Sequence, residues 1–94
     1  MTKAELVKQI SDKTGIEKIA VLLTIEQLML VVKSSLINNE PVYLRGFGSF
    51  VIKHKAKKNF HAAPGKWIEI PAHTEPSFKP SEEFKELVKN GKVG

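Results

Sequence analysis

Between Glu17 and Asn38 the sequence specifies one long helix that is apolar on too many sides for a chain of this size. Val21, Ile25, Leu28, Met29, Val32 and Leu36 recur at the spacing of one helical face. Ile19, Leu23 and Leu30 form a second row on another side. A chain of 94 residues is one small domain, near the lower end of the range for a self-contained core. It cannot cover both rows by itself, so this helix predicts a second subunit. The same stretch, IAVLLTIEQLMLVV, is interrupted by Glu26 and Gln27 and reads as shorter than a membrane span requires. The opening MTKAELVKQI lacks the apolar run of a signal peptide. With no cysteine there is no disulfide framework and no thiolate metal site. The expectation is a soluble, cytoplasmic protein with no membrane partner.

The other elements follow from local signals. Thr2-Lys3-Ala4-Glu5 has the pattern of a capping box, and Leu6, Val7 and Ile10 give a helical stripe that ends near Thr14-Gly15. After Asn38-Asn39-Glu40-Pro41 the pattern turns to strand in Val42, Tyr43, Leu44 and Arg45. Gly46-Phe47-Gly48 suits a tight hairpin, and Ser49, Phe50, Val51 and Ile52 follow it. Trp67-Ile68-Glu69-Ile70 alternates as a returning strand, part of which Pro71 and Pro76 demote to an edge or a bulge. Pro80-Ser81-Glu82-Glu83 starts a last helix with Phe84, Leu87 and Val88 as its buried stripe. The predicted fold class is α+β. Residues 1–40 form a helical dimerisation region, 41–79 a three-stranded antiparallel sheet with a β-ribbon arm over about 53–70, and 80–94 a short helix and tail.

The net charge of +5 is concentrated in one place. Lys53, Lys55, Lys57, Lys58 and Lys66 fall in residues 53–66, which contain no acid; the rest of the chain carries ten Lys/Arg against ten Asp/Glu. Charge gathered on one segment points to a polyanion. KHKAK has the strand period, Ala62-Ala63-Pro64-Gly65 marks a turn, and the return strand alternates too, so the segment reads as a ribbon. A strand from Ile52 to Ala62 would reach about 33 Å, far more than a hairpin needs to pack on its own core. A protruding cationic ribbon suits a nucleic-acid groove.

Catalytic patterns are missing. The serines (Ser11, Ser34, Ser35, Ser49, Ser77, Ser81) lie outside any nucleophile-elbow context, and His54, His61 and His73 are not spaced as helical metal ligands. The chain is expected to be no enzyme and to use no metal, cofactor or small-molecule substrate.

GFGSF (Gly46 to Phe50), His54-Lys55-Ala56, Ile68-Glu69-Ile70-Pro71-Ala72 and PSFKPSEEFKELV (Pro76 to Val88) together resemble the HU/integration host factor family of bacterial histone-like DNA-bending proteins. MTKAELVKQISDKTG is similar to that family's opening helix, so the likeness covers essentially the whole chain. It implies an intertwined homodimer whose two arms embrace the minor groove of double-stranded DNA, with a heterodimer with a paralogue as the other arrangement. It places Leu28, Met29, Val32, Leu36, Leu44, Phe47, Phe50 and Phe78 at the dimer interface. On the DNA side it places Lys53, Lys55, Lys57, Lys58, Phe60, His61, Pro64 and Lys66 of the arm. From the body it adds Lys3, Lys18, Arg45 and Lys79.

The chain departs from the family at the tip. Where the family carries Arg-Asn-Pro, with the proline as a wedge between base pairs, this chain has Phe60-His61-Ala62. Its arm is about one residue shorter, and Pro64 lies two positions later. Glu82 stands where many members have a basic residue. Phe60 has two readings: a replacement wedge, or a partner for Trp67 that stiffens the ribbon across its strands. Lysine contacts to phosphate position a protein without reading bases, and Arg45, the only arginine, lies in the body. The implied function is architectural binding and bending of nucleoid DNA with little sequence preference. Two alternatives stand: selectivity for pre-bent, damaged or RNA-containing duplexes, and an interaction dimer that has lost DNA function.

Overall fold

A computed structural model describes residues 1–91 of the chain, so the end of the predicted 80–94 segment lies outside the described residues. The chain forms two compact units, Met1–Ser34 and a second that begins at Ser35.

The first unit holds α1 (Lys3–Thr14) and most of α2 (Lys18–Ile37). The Thr2 hydroxyl oxygen accepts from the Glu5 amide at 3.2 Å and its proton goes to the Glu5 carboxylate at 3.3 Å. The cap therefore closes through the two side chains, whereas in a regular capping box the carboxylate reaches back to the cap residue's amide. Gly15, with φ 77°, ends α1 and donates its amide to Ser11 O. Val7 and Val21 are buried, and Lys3 Nζ reaches Glu26 Oε1 at 3.0 Å, tying α1 to α2. The second apolar row of α2 stays bare: Ile19, Leu23 and Leu30 are all more than half exposed.

Glu26 and Gln27 do not interrupt α2. Twenty helical residues measure about 30 Å, so this helix is long and apolar enough to cross a membrane, which corrects the expectation that it is too short. Its mid-helix ion pair with Lys3 would be costly in a bilayer interior.

The second unit opens with the end of α2, where Asn39 adopts φ 60° and the amides of Asn39 and Glu40 return to Leu36 O and Ser35 O. Five strands follow: β1 (Val42–Leu44), β2 (Gly48–Lys55), β3 (Lys58–Ala63), β4 (Lys66–Ile70) and β5 (His73–Pro80). A last helix, α3 (Glu82–Asn90), is capped by the Ser81 hydroxyl, which accepts from Phe84 N at 3.1 Å. β1, β2 and β5 make an antiparallel sheet in that order, while β3 and β4 form a separate two-stranded ribbon. β5 is an edge strand, which is why it tolerates Pro76.

Register puts Val42, Leu44, Phe50, Ile52 and Phe78 on one face of the sheet, since Val42 pairs with Phe50 and Phe50 with Phe78. Phe47 and Phe84 join them: Phe78 lies 5.0 Å from both Phe47 and Phe50, and Phe47 stacks on Phe84 at 5.2 Å. Gly48 is what lets this cluster close. A Cβ there would meet the Lys79 carbonyl at 2.5 Å and the Phe78 ring at 2.6 Å. The cluster is nonetheless open on one side, with Phe47 and Phe78 still exposed beside an apolar hollow of about 420 Å³ lined by Phe78, Pro80, Phe84 and Val88. Val88, expected in the buried stripe of α3, is 69% exposed.

Candidate nucleic-acid interface

The predicted arm of residues 53–70 divides into two parts. β2 stops at Lys55 and β3 starts at Lys58, and on the return side β4 stops at Ile70 and β5 starts at His73. The breaks face each other, because Lys55 pairs with His73 and Lys58 with Ile70. Pro71, which has no amide to donate, sits in the gap. Lys53 and Lys55 therefore stand on the sheet, and the ribbon proper begins at Lys58. The single strand of about 33 Å expected from Ile52 to Ala62 is interrupted in the middle.

At the tip, Ala63 pairs with Lys66 across Pro64-Gly65. Proline at the second turn position and Gly65 at φ 76° in the third are what a type II turn requires. Such a turn twists against the strands of a hairpin, and a bulge next to it absorbs the mismatch. Here the register slips between Ala63 and His61, leaving Ala62 unpaired. Pro64 is thus a turn residue.

The bulge decides which side chains share a face. Phe60 pairs with Ile68 and His61 with Trp67, so Phe60 does not brace Trp67 as one sequence reading had it. One face of the ribbon carries Lys58, Phe60, Ile68 and Ile70, with Lys66 toward the tip; Phe60 and Ile68 are each 51% exposed. The opposite face carries Asn59, His61, Trp67 and Glu69. His61 and Trp67 stack with ring centroids 4.6 Å apart and planes 21° from parallel.

The return strands bring acids to the lysines. Lys57 Nζ lies 2.9 Å from Glu69 Oε1, and Lys55 Nζ lies 3.7 Å from Glu75 Oε1. Glu75 is also directly opposite Lys53 and within 3.3 Å of His73 Nε2. Among the described residues, Lys53, Lys58 and Lys66 are the arm cations without an acid partner. On the body, Lys3 is paired with Glu26, and Lys18 opens α2. Arg45 lies in the β1–β2 turn and lines a shallow depression with Tyr43, Ser49, Lys79 and Ser81. Sequence reading missed Ile68 and Ile70 as surface residues of the arm, because their partners depend on the bulge.

Residues 1–89 match the profile of the family described as bacterial DNA-binding protein. The chain belongs to that family. It is 38% identical over 90 residues to the DNA-binding protein HU of Thermus thermophilus, covering 95% of this chain and 93% of the relative. It is 33% identical over 94 residues to integration host factor subunit alpha of Actinobacillus pleuropneumoniae, covering 99% and 96%. Among solved structures it is similar to an Anabaena HU–DNA cocrystal structure, with TM-score 0.86 and 26% identity over 94% of this chain and 97% of that one. This bacterial DNA-binding protein is HU-like in sequence and in its α+β fold.

Proposed function

We propose that the chain is an architectural DNA-binding protein of the HU kind, a single domain over residues 1–94 that acts as a homodimer. In this reading it holds duplex DNA through its two ribbon arms in the minor groove and bends it. The observation that carries the reading is the free face of the ribbon. Exposed Phe60, Ile68 and Ile70 share one face with Lys58 and Lys66 on a two-stranded ribbon that is separate from the three-stranded sheet. Minor-groove walls are lined by sugars and flanked by phosphates, which suit an apolar stripe with a cation at either end. The similar Anabaena HU was crystallised with DNA, which supports the same partner here. Phe60 is then the side chain placed to part a base step, taking the role that a proline two positions later along the strand has in its family.

The dimer rests on uncovered apolar surface. Val7, Val21 and Leu36 are the only buried hydrophobic residues among those described, and no large side chain is fully buried. Leu28, Met29 and Leu30 on α2 remain exposed, as do Phe47 and Phe78 of the aromatic cluster. A second copy covers these surfaces, with Val32, Leu44 and Phe50 beneath them; Leu36 is already buried in its own chain. Nothing in this reading calls for catalysis, and its place is the bacterial nucleoid in the cytoplasm.

A mobility-shift titration over a salt series tests the reading. Lys53, Lys58 and Lys66 give about six phosphate contacts per dimer, so affinity should fall roughly 10³-fold between 50 and 200 mM salt. Absence of binding at the low-salt end would favour an interaction protein instead.

A further inference from the structure

His73 opens β5, and both of its ring nitrogens face oxygen atoms that can only accept a hydrogen bond. Nδ1 lies 3.1 Å from the carbonyl oxygen of Pro71, and Nε2 lies 3.3 Å from Glu75 Oε2. A neutral imidazole has one N–H and serves one of these acceptors, whereas the imidazolium donates to both. Facing this pair from β2 are Lys55, opposite His73, and Lys53, opposite Glu75, all on one face of the sheet; His54 lies on the other face. The second oxygen of Glu75 is 3.7 Å from Lys55 Nζ, too far for a hydrogen bond. None of the four side chains is buried, so solvent protons and a phosphate can both reach them. We infer that His73 and Glu75 make a proton-controlled phosphate site at the root of the arm. With His73 neutral, Glu75 offsets the lysines, and two ammonium groups against one carboxylate leave a single positive charge. With His73 protonated, the imidazolium engages Glu75, and Lys53 and Lys55 are released toward phosphate with one more positive charge in the cluster. Histidine is the side chain that changes charge between about pH 5 and 8, so duplex binding takes up a proton and tightens as the pH falls through that range.

The inference rests on the DNA-binding reading above, and the test separates the two. The full-length protein is titrated with an intact duplex at about pH 8 and about pH 5.5, each over a salt series. Acidification should tighten binding about tenfold or more at the low-salt end. It should also steepen the salt slope by about 1.8, the value for one added cation in each protomer of a dimer. His73→Gln, which can donate but cannot become charged, should lose most of this rise, while His54→Gln should keep it. Glu75→Gln should already show the steeper slope at the higher pH. In NMR spectra of the free protein, the Glu75 carboxyl carbon should shift over the same pH range as the His73 ring, and His73→Gln should abolish that shift. The same spectra report that the variants are folded. A pH response in His73→Gln equal to wild type would overturn the inference, as would a Glu75 signal indifferent to His73. If the duplex binds equally at both pH values, this inference alone falls; if it binds at neither, the parent reading falls with it.

Discussion

Phe60 faces Ile68 across the arm, and it does so only because Ala62 is bulged out of the ladder. With Ala63 opposite Lys66 and no bulge, regular pairing would set Phe60 against Glu69 and His61 against Ile68. The apolar stripe and the aromatic stack would both be broken up. One unpaired residue thus sorts the arm into an apolar cationic face and an aromatic face.

The arm's grip on DNA should be limited by its own acids. Replacing Glu69 by Gln releases Lys57 from a 2.9 Å ion pair. In a dimer that adds two cations, so the salt slope of duplex binding should steepen by about 1.8 and low-salt affinity should rise. Mobility shifts over a salt series check this, and an unchanged slope would show that Lys57 reaches no phosphate.

Phe60→Ala should separate holding from bending. The variant keeps Lys53, Lys58 and Lys66, so its duplex affinity should survive in large part. A bend of 40–90° costs on the order of 1–6 kcal/mol and needs contacts that the truncated arm lacks, so ring closure of short DNA fragments should lose most of its enhancement. Wild-type levels of ring closure in the variant would rule out Phe60 as the wedge.

Gly48→Ala should destabilise the sheet by about 1–3 kcal/mol or more. The added methyl meets the Lys79 carbonyl at 2.5 Å, a backbone atom that no rotamer change can move away. Urea denaturation should show a lower midpoint at unchanged slope. A stability equal to wild type would contradict the close packing of β2 on β5.

Melting should depend on protein concentration, because folding and association are linked when the apolar surface of one chain is covered by another. Circular dichroism over a hundredfold dilution, roughly, should show the midpoint falling as the protein is diluted. Leu30→Glu, at a site 54% exposed on α2, should shift sedimentation toward monomer and lower the midpoint further. A concentration-independent midpoint would sink the dimer.

Much of the fold was legible because its signals are local. Thr2, Gly15, Ser81 and the Gly-Phe-Gly turn each act within a few residues of themselves, through a cap or a permitted dihedral. The positive segment was equally plain, since charge is counted along the chain. Likewise, the two apolar rows of α2 predicted a helix with uncovered surface, and Ile19, Leu23 and Leu30 are indeed bare.

What remained hidden was cross-strand register, and with it the character of the arm. Counting along residues 53–66 showed five lysines and no acid, yet Glu69 and Glu75 lie against Lys57 and Lys55 once the strand returns. Phe60 and Trp67 looked like natural partners, yet they face opposite ways. The sequence by itself determined the helices, their ends, the turn at Pro64-Gly65 and the cationic character of the segment. Tertiary structure decided which residues oppose each other, because in a period-two strand a single slip moves every side chain to the other face, and the slip at Ala62 is set by turn and twist together.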